Sequence, residues 1–240
     1  MDDNDCGPPW LTVLTTPKRP QYLVDTCNAI DDAGGRIFPG WKMVLVDGPS
    51  VDYRTMVPEW GVRSLTQEKP PEGTRMAIWK IMRWANIARA PYLLYFEDDI
   101  RLSAHAVTAM SRYPVPPDLG FLSFFSMDPR ISSEPGIHRT NNKEFWGTQA
   151  LKIPYRSLTK FRDENTEPRN QHRFSADIWL GMQLSAGVVV PSLVRHIGEV
   201  SAVQTGQGVG LTGKWSHRGG LHYMGDNFNA LSILDHHAIC

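Results

Sequence analysis

Three consecutive acids, Glu97-Asp98-Asp99, follow the apolar run Tyr92-Leu93-Leu94-Tyr95-Phe96. Such a run reads as a strand covered on both faces, so the carboxylates stand at a strand's carboxyl end. In extended backbone alternate side chains share a face, which aims Glu97 and Asp99 together into the crevice where open α/β sheets bind ligands. A pair of this kind can hold a hard divalent cation through oxygen, and the cation can bridge the phosphates of a nucleotide. The plainer use is that Asp98 or Asp99 caps a following helix.

Two further residues fall at predicted strand ends. Asp47 closes Lys42-Met43-Val44-Leu45-Val46, where an acid can accept hydrogen bonds from a base or ribose; Asp47-Gly48 is also an ordinary turn. Arg19 follows the β-branched run Leu11 to Thr16. Its planar guanidinium can pair with a diphosphate, or simply stand exposed in a loop.

Positioning these groups takes a layered fold. After the first strand, residues 21 to 33 carry Leu23, Cys27 and Ile30 at helical spacing, and Gly34-Gly35 ends the helix. Two strands joined through a helix favour parallel pairing. Residues 51 to 72 hold three prolines and read as an irregular surface connection. Thr74 is the expected cap of a helix to about Ala88, with Ile78, Ile81, Ala85 and Ala88 on one side and Arg75, Lys80 and Arg83 on the other. Further expected elements are a helix at Ser103–Arg112, strands near Phe121–Phe125 and Trp146–Ile153, a helix over Asp177–Leu184, and an apolar segment at Val188–Val190. The β-α-β rhythm weakens after residue 120. The expected class is α/β, with a mixed, mainly parallel sheet flanked by helices.

Composition sets the remaining bounds. In 240 residues, 25 Lys and Arg balance 25 Asp and Glu, so no overall basic field attracts nucleic acid or anionic membrane. The acidic start, Met1-Asp2-Asp3-Asn4-Asp5, predicts no export signal. The uncharged run Ile178 to Val194 contains Gln183, Ser185, Pro191 and two glycines, too polar and broken to span a bilayer. The expectation is a soluble, cytoplasmic protein with no stable membrane association. Cys6, Cys27 and Cys240 show no metal-ligand spacing and read as structural thiols.

Thr15-Thr16-Pro17-Lys18-Arg19-Pro20 after the first strand, Val46-Asp47-Gly48 after the second and Tyr95-Phe96-Glu97-Asp98-Asp99 in place of a metal-binding acidic motif give a pattern that resembles the GT-A glycosyltransferases. The Glu-Asp-Asp version is most similar to the N-acetylglucosaminyltransferase I group. Ser175-Ala176-Asp177-Ile178-Trp179 lies where that group has an acidic, tryptophan-containing segment, and Pro191 to Gly198 is similar to a late segment of related enzymes. The resemblance implies metal-dependent transfer of a hexosyl or N-acetylhexosaminyl group from a nucleotide diphosphate donor, a UDP-sugar, to an acceptor hydroxyl with inversion. The resemblance leaves the acceptor open among a glycan, lipid, protein or modified DNA. It implies Asp99 as the ligand of Mn²⁺ or Mg²⁺, Glu97 at the donor ribose or a metal-bound water, Asp47 at uracil and Arg19 at the diphosphate. Thr15, Arg75 and Asp98 complete the expected donor site. Asp177 is the implied general base, and at a helix start it can equally cap N–H groups. The segment around Asp177 departs from the group's pattern, which leaves a retaining course open. One domain is expected over 1–240: a nucleotide-sugar-binding half at 11–125, an acceptor and catalytic half at 126–200, and a flexible glycine-rich loop and tail at 201–240.

Other residues have a weaker claim. His196 and His217 are candidates for a further metal ligand. Trp146 and Trp179 can stack on a sugar or belong to the core. Lys214, Trp215, His217 and Arg218 can meet a donor if residues 204–220 close over it, and Arg156, Lys160, Arg162 and Arg169 can form a basic groove for DNA. The alternative functions are a sugar-phosphate nucleotidyltransferase, suggested by Gly73-Thr74-Arg75 but lacking a glycine-rich loop after the first strand, and a carbohydrate- or nucleotide-binding module without turnover.

Overall fold

A computed structural model describes residues 6–48, 53–65, 73–141, 145–162, 166–168, 175–197 and 221–237. β1 (Trp10–Thr15) and β2 (Trp41–Val46) are joined through α1 (Pro20–Asp32) and pair in parallel. Pro20 opens α1 where its missing N–H removes no helical bond, and Leu23, Cys27 and Ile30 bury one stripe of it. β4 (Tyr92–Glu97), reached through α2 (Thr74–Ile87), pairs in parallel with the other side of β1.

Five more strands extend the sheet: β3 (Gly61–Ser64), β6 (Phe121–Ser123), β7 (Gly136–Arg139), β8 (Ala150–Pro154) and β9 (Ala186–Val190). Among the described residues the order is β3-β2-β1-β4-β8-β6-β9-β7, with β7 and β8 antiparallel to the rest. The mixed, mainly parallel α/β class expected from the sequence is the one observed. A separate ribbon pairs β5 (Ile100–Leu102) with β10 (Val194–His196).

Alternation along the strands divides the core. Leu11, Val13, Val44, Val46, Leu94 and Phe96 pack with α1 and with α3 (Ala106–Arg112). Leu14, Leu45, Leu93, Tyr95, Leu151 and Ile153 pack on the opposite face with α2, α4 (Tyr155–Leu158) and α5 (Ala176–Gln183). Among the described residues no helix is long and apolar enough to cross a membrane.

Several elements differ from the sequence expectation. Within the supposed irregular connection, Gly61–Ser64 is an edge strand parallel to β2; a four-residue edge strand with a single apolar side chain gives no periodic signal. Thr74 is the first helical residue rather than the cap, which is Gly73 at φ +91°, a backbone region glycine enters without strain. The helix expected from Ser103 begins at Ala106, because Ile100–Leu102 pairs with the distant β10. The expected strand at 146–153 is confined to 150–154, and its first residues instead form a loop at the site described below. β7 falls in a Pro- and Ser-rich stretch where the sequence predicts no strand. Residues 204–220, His217, Arg169 and Cys240 lie outside the described residues.

Lys152 is an apparent violation in β8, a cation only 7% exposed. Its Nζ donates to the carbonyls of Ser111 and Tyr113, each at 2.7 Å, and lies 4.7 Å from the Tyr92 ring centroid. It therefore satisfies carbonyls at the end of α3, where the helix dipole favours positive charge. Burial lowers its pKa from 10.5 to about 8. Lys152→Met strips both carbonyls of their donor and is expected to cost ~1–3 kcal/mol in urea denaturation at pH 7. Between pH 8 and 10 the unfolded chain holds this lysine's proton more tightly than the folded chain, so stability rises with pH. That rise is expected in wild type relative to Lys152→Met.

Candidate active site

Alternation along β4 sorts the three acids. Glu97 continues the Leu93–Tyr95 face toward α5, and Asp98 continues the Leu94–Phe96 face toward α1. Asp98 is 5% exposed; its carboxylate accepts from Thr15 Oγ1 at 2.5 Å and from Arg19 Nη1 at 3.3 Å. Thr26 of α1 fixes the turn backbone, with its hydroxyl 2.9 Å from the Asp98 carbonyl and 3.1 Å from the Ile100 amide. The capping role considered for Asp98 and Asp99 does not occur, since α3 starts later and has no side-chain cap.

Asp99, 3% exposed, is the pivot. Its Oδ2 accepts from Arg19 Nη1 and lies 3.2 Å from His196 Nε2. Its Oδ1 is buried without a hydrogen-bond partner among the described residues. The β5–β10 ribbon brings His196 there: His196 pairs with Ile100, and the Ile197 amide donates to the Asp99 carbonyl at 2.8 Å.

Glu97 is held from β8's side. Thr148 Oγ1 donates to Glu97 Oε1 at 2.7 Å and Gln149 Nε2 to Oε2 at 3.3 Å. The Thr148 amide donates to Asp177 Oδ1 at 3.1 Å, so one residue ties Glu97 to Asp177. Gly147 makes this turn possible with φ +138°, and a Cβ there would come within 2.8 Å of the Phe125 carbonyl oxygen. Asp177 lies in the first turn of α5, whose N-cap is Ser175, accepting from the Ile178 amide at 3.4 Å. The cap role weighed for Asp177 thus belongs to Ser175, and the Asp177 carboxylate faces Thr148.

Burial raises the Glu97 carboxyl to about 8, with the Asp99 and Asp177 charges adding to it and the Thr148 hydrogen bond opposing. Burial also lifts Asp98 to about 6 against the Thr15 bond, and raises Asp177. Asp99 goes the other way: burial would raise it, but His196 and Arg19 hold it below the ordinary carboxylate range. Burial would lower His196, yet the Asp99 hydrogen bond and charge raise it.

The remaining expected donor residues lie nearby in the fold but not on these acids. Asp47, at the end of β2, accepts from the Gly73 amide at 3.0 Å, linking β2 to the start of α2. Arg75, in the first turn of α2, has a buried Nη1 with no hydrogen-bond partner among the described residues. Thr15 is committed to Asp98 and Arg19 to both acids, although Arg19 Nε is buried and unpartnered. Trp179 is 0% exposed and packs on Phe161, so it belongs to the core rather than to a sugar platform. Arg156 donates to the carbonyls of Val115, Pro116 and Leu119, which removes it from any free basic groove.

The donor set fits a hard divalent cation, to which Asp99 Oδ1 and the Glu97 carboxylate would offer oxygen. Among the described residues no three His, Cys, Asp or Glu side chains form a preformed metal cage. One or two carboxylates with substrate phosphates completing the shell is the usual manner of Mg²⁺ at nucleotide sites. Thr148 and Gln149 escaped the sequence analysis because antiparallel pairing of β8 with β4, not any local motif, brings them to Glu97.

No family profile matches the chain, and no curated protein matches it by sequence. Solved structures with a similar architecture include an active-site mutant of LgtC (11% identity, TM-score 0.48, covering 75% of this chain and 72% of that one). Two others are the galactosyltransferase LgtC with donor and acceptor sugar analogs (10%, 0.46, 75% and 73%) and a glycosyltransferase involved in glycosylation of the major capsid of PBCV-1 (12%, 0.37, 69% and 69%). Likeness at this distance speaks to neither substrate nor chemistry, which rest on the side chains themselves.

The raised carboxyl of Glu97 has a measurable consequence in metal-free protein. The folded chain keeps this proton to about pH 8, whereas the unfolded chain releases it near 4.5. In that window the folded state binds more protons, so stability falls as pH rises. Glu97→Gln is expected to flatten the fall in thermal melts between pH 5 and 8.

Proposed function

We propose that the protein is a metal-dependent glycosyltransferase that moves a sugar from a UDP-sugar to an acceptor hydroxyl. The observation that carries this is that Thr148 joins Glu97 to Asp177 at the carboxyl edge of the sheet, while the Asp99 charge acts on Glu97 and Asp99 Oδ1 is buried and unpartnered among the described residues. Ligands of open α/β sheets bind at this edge.

Asp99 and Glu97 would hold Mn²⁺ or Mg²⁺. When bound, the cation would neutralise the charge developing on the departing diphosphate. Arg19, whose guanidinium already faces Asp98 and Asp99, is placed to share that task through its remaining nitrogens. Asp47 and Arg75, across the β2–α2 junction, would bind the nucleotide. His196 holds Asp99 Oδ2 and orients Oδ1.

Asp177 would accept the acceptor hydroxyl's proton as that oxygen attacks the anomeric carbon. Its raised affinity for protons suits a base, and hydrogen bonds from Thr148 and from the Gly147 amide fix its carboxylate. Direct displacement inverts the anomeric carbon.

The test is a thermal-shift series with UDP-glucose, UDP-galactose and UDP-N-acetylglucosamine, with and without Mn²⁺. A UDP-sugar at 100 times its Kd is expected to stabilise the fold by ~2.7 kcal/mol, only with Mn²⁺ present, and Asp99→Asn is expected to abolish the shift. Asp177→Asn is expected to keep the shift but lower turnover ~10²- to 10⁴-fold in a donor-hydrolysis or transfer assay. A metal-independent shift, or one that survives Asp99→Asn, contradicts the assignment.

A further inference from the structure

Gln149 has no assigned part in the chemistry above. It faces Glu97 across the step just beyond the β4–β8 pairing, where the Glu97 amide donates to the Gln149 carbonyl at 3.1 Å. Its Nε2 donates to Glu97 Oε2 at 3.3 Å; with Glu97 ionised, as holding a cation requires, the reverse orientation of the amide would set Oε1 against a carboxylate oxygen. The other end, Oε1, is buried and has no hydrogen-bond partner among the described residues.

A buried acceptor left unsatisfied costs about 1–3 kcal/mol, and native interiors seldom tolerate one. The adjacent Thr148 cannot supply the donor, because its hydroxyl is on Glu97 and its amide on Asp177. The acids beside Gln149 accept in their ionised forms. Gln149 therefore presents an acceptor in a crevice already rich in acceptors, and the complementary ligand carries several O–H donors on a small rigid frame. A pyranose ring has that character; a phosphate, which brings only more acceptors, does not.

We propose that Gln149 Oε1 accepts a hydrogen bond from one ring hydroxyl of the transferred sugar, so that Gln149 selects donors in which that hydroxyl is free. The assignment rests on the nucleotide-sugar function proposed above and adds to it a specificity residue and the class of group it reads.

The experiment is calorimetric titration, in Mn²⁺, of wild type and Gln149→Met with UDP, UDP-glucose, UDP-galactose and the mono-deoxy forms of whichever hexose donor binds more tightly. In wild type, one mono-deoxy donor is expected to bind ~3- to 10-fold more weakly than its parent, the worth of one hydrogen bond. Gln149→Met is expected to weaken the parent by a similar factor beyond whatever loss it shows for UDP, since Gln149 also touches Glu97, and to show no further loss with that deoxy donor. Gln149→Asn, polar but one methylene shorter, gives the same pattern and serves if the methionine variant does not fold. Equal losses for UDP and UDP-hexose, as a purely structural role would produce, overturn the proposal. So does a deoxy penalty of the same size in variant and wild type. If folded wild type binds neither UDP nor any UDP-hexose, the nucleotide-sugar function itself fails and this assignment falls with it; losses confined to the variants leave that function standing.

Discussion

The cost of burying carboxylates, to which their mutual repulsion adds at Glu97 and Asp98, is the constraint around which this edge of the sheet is built. Two like charges 4 Å apart at an effective dielectric of 20 repel by ~4 kcal/mol, and here Glu97, Asp98, Asp99 and Asp177 share one partly dry edge. The protein answers by giving each acid a different environment. Asp98 is tied down by Thr15 and Arg19, and Asp99 is kept ionised by Arg19 and His196. Glu97 is allowed to keep its proton to about pH 8, and Asp177 takes hydrogen bonds from Thr148. A divalent cation would relieve the same repulsion, so the acids are costly without it and useful with it.

The fold supplies these environments through pairings remote in sequence. β1 puts Thr15 and the loop bearing Arg19 beside the end of β4. Antiparallel β8 presents Thr148 and Gln149 from the other side, and the β5–β10 ribbon delivers His196 to Asp99. Three neighbours thus converge on one strand end, each from a different part of the chain. This also explains why the turn after β4 is so firmly held, with Thr26 fixing its backbone from α1.

The parts legible in the sequence were those with a strong local pattern. β4 and β1 are buried on both faces and read as apolar runs, while α1 and α2 show their stripes at helical spacing. The sequence alone therefore places the acids at the end of β4 and the acid in the first turn of α5. Gly61–Ser64 and Gly136–Arg139 could not, because edge strands are stabilised by their neighbours rather than by their own composition. Thr148 and Gln149 were hidden for a related reason: their significance comes from facing Glu97, which is a property of pairing. Thr15 was legible as a position but not in its partner, since the structure spends its hydroxyl on Asp98.

The most direct measurement is a crystal structure of the protein with Mn²⁺ and UDP, with anomalous scattering collected at the manganese edge. The account predicts one strong peak within about 2.0–2.6 Å of an Asp99 carboxylate oxygen, on the side facing the diphosphate. Bound UDP with the manganese elsewhere, or with no manganese and Asp99 held by Arg19 and His196 alone, would contradict it.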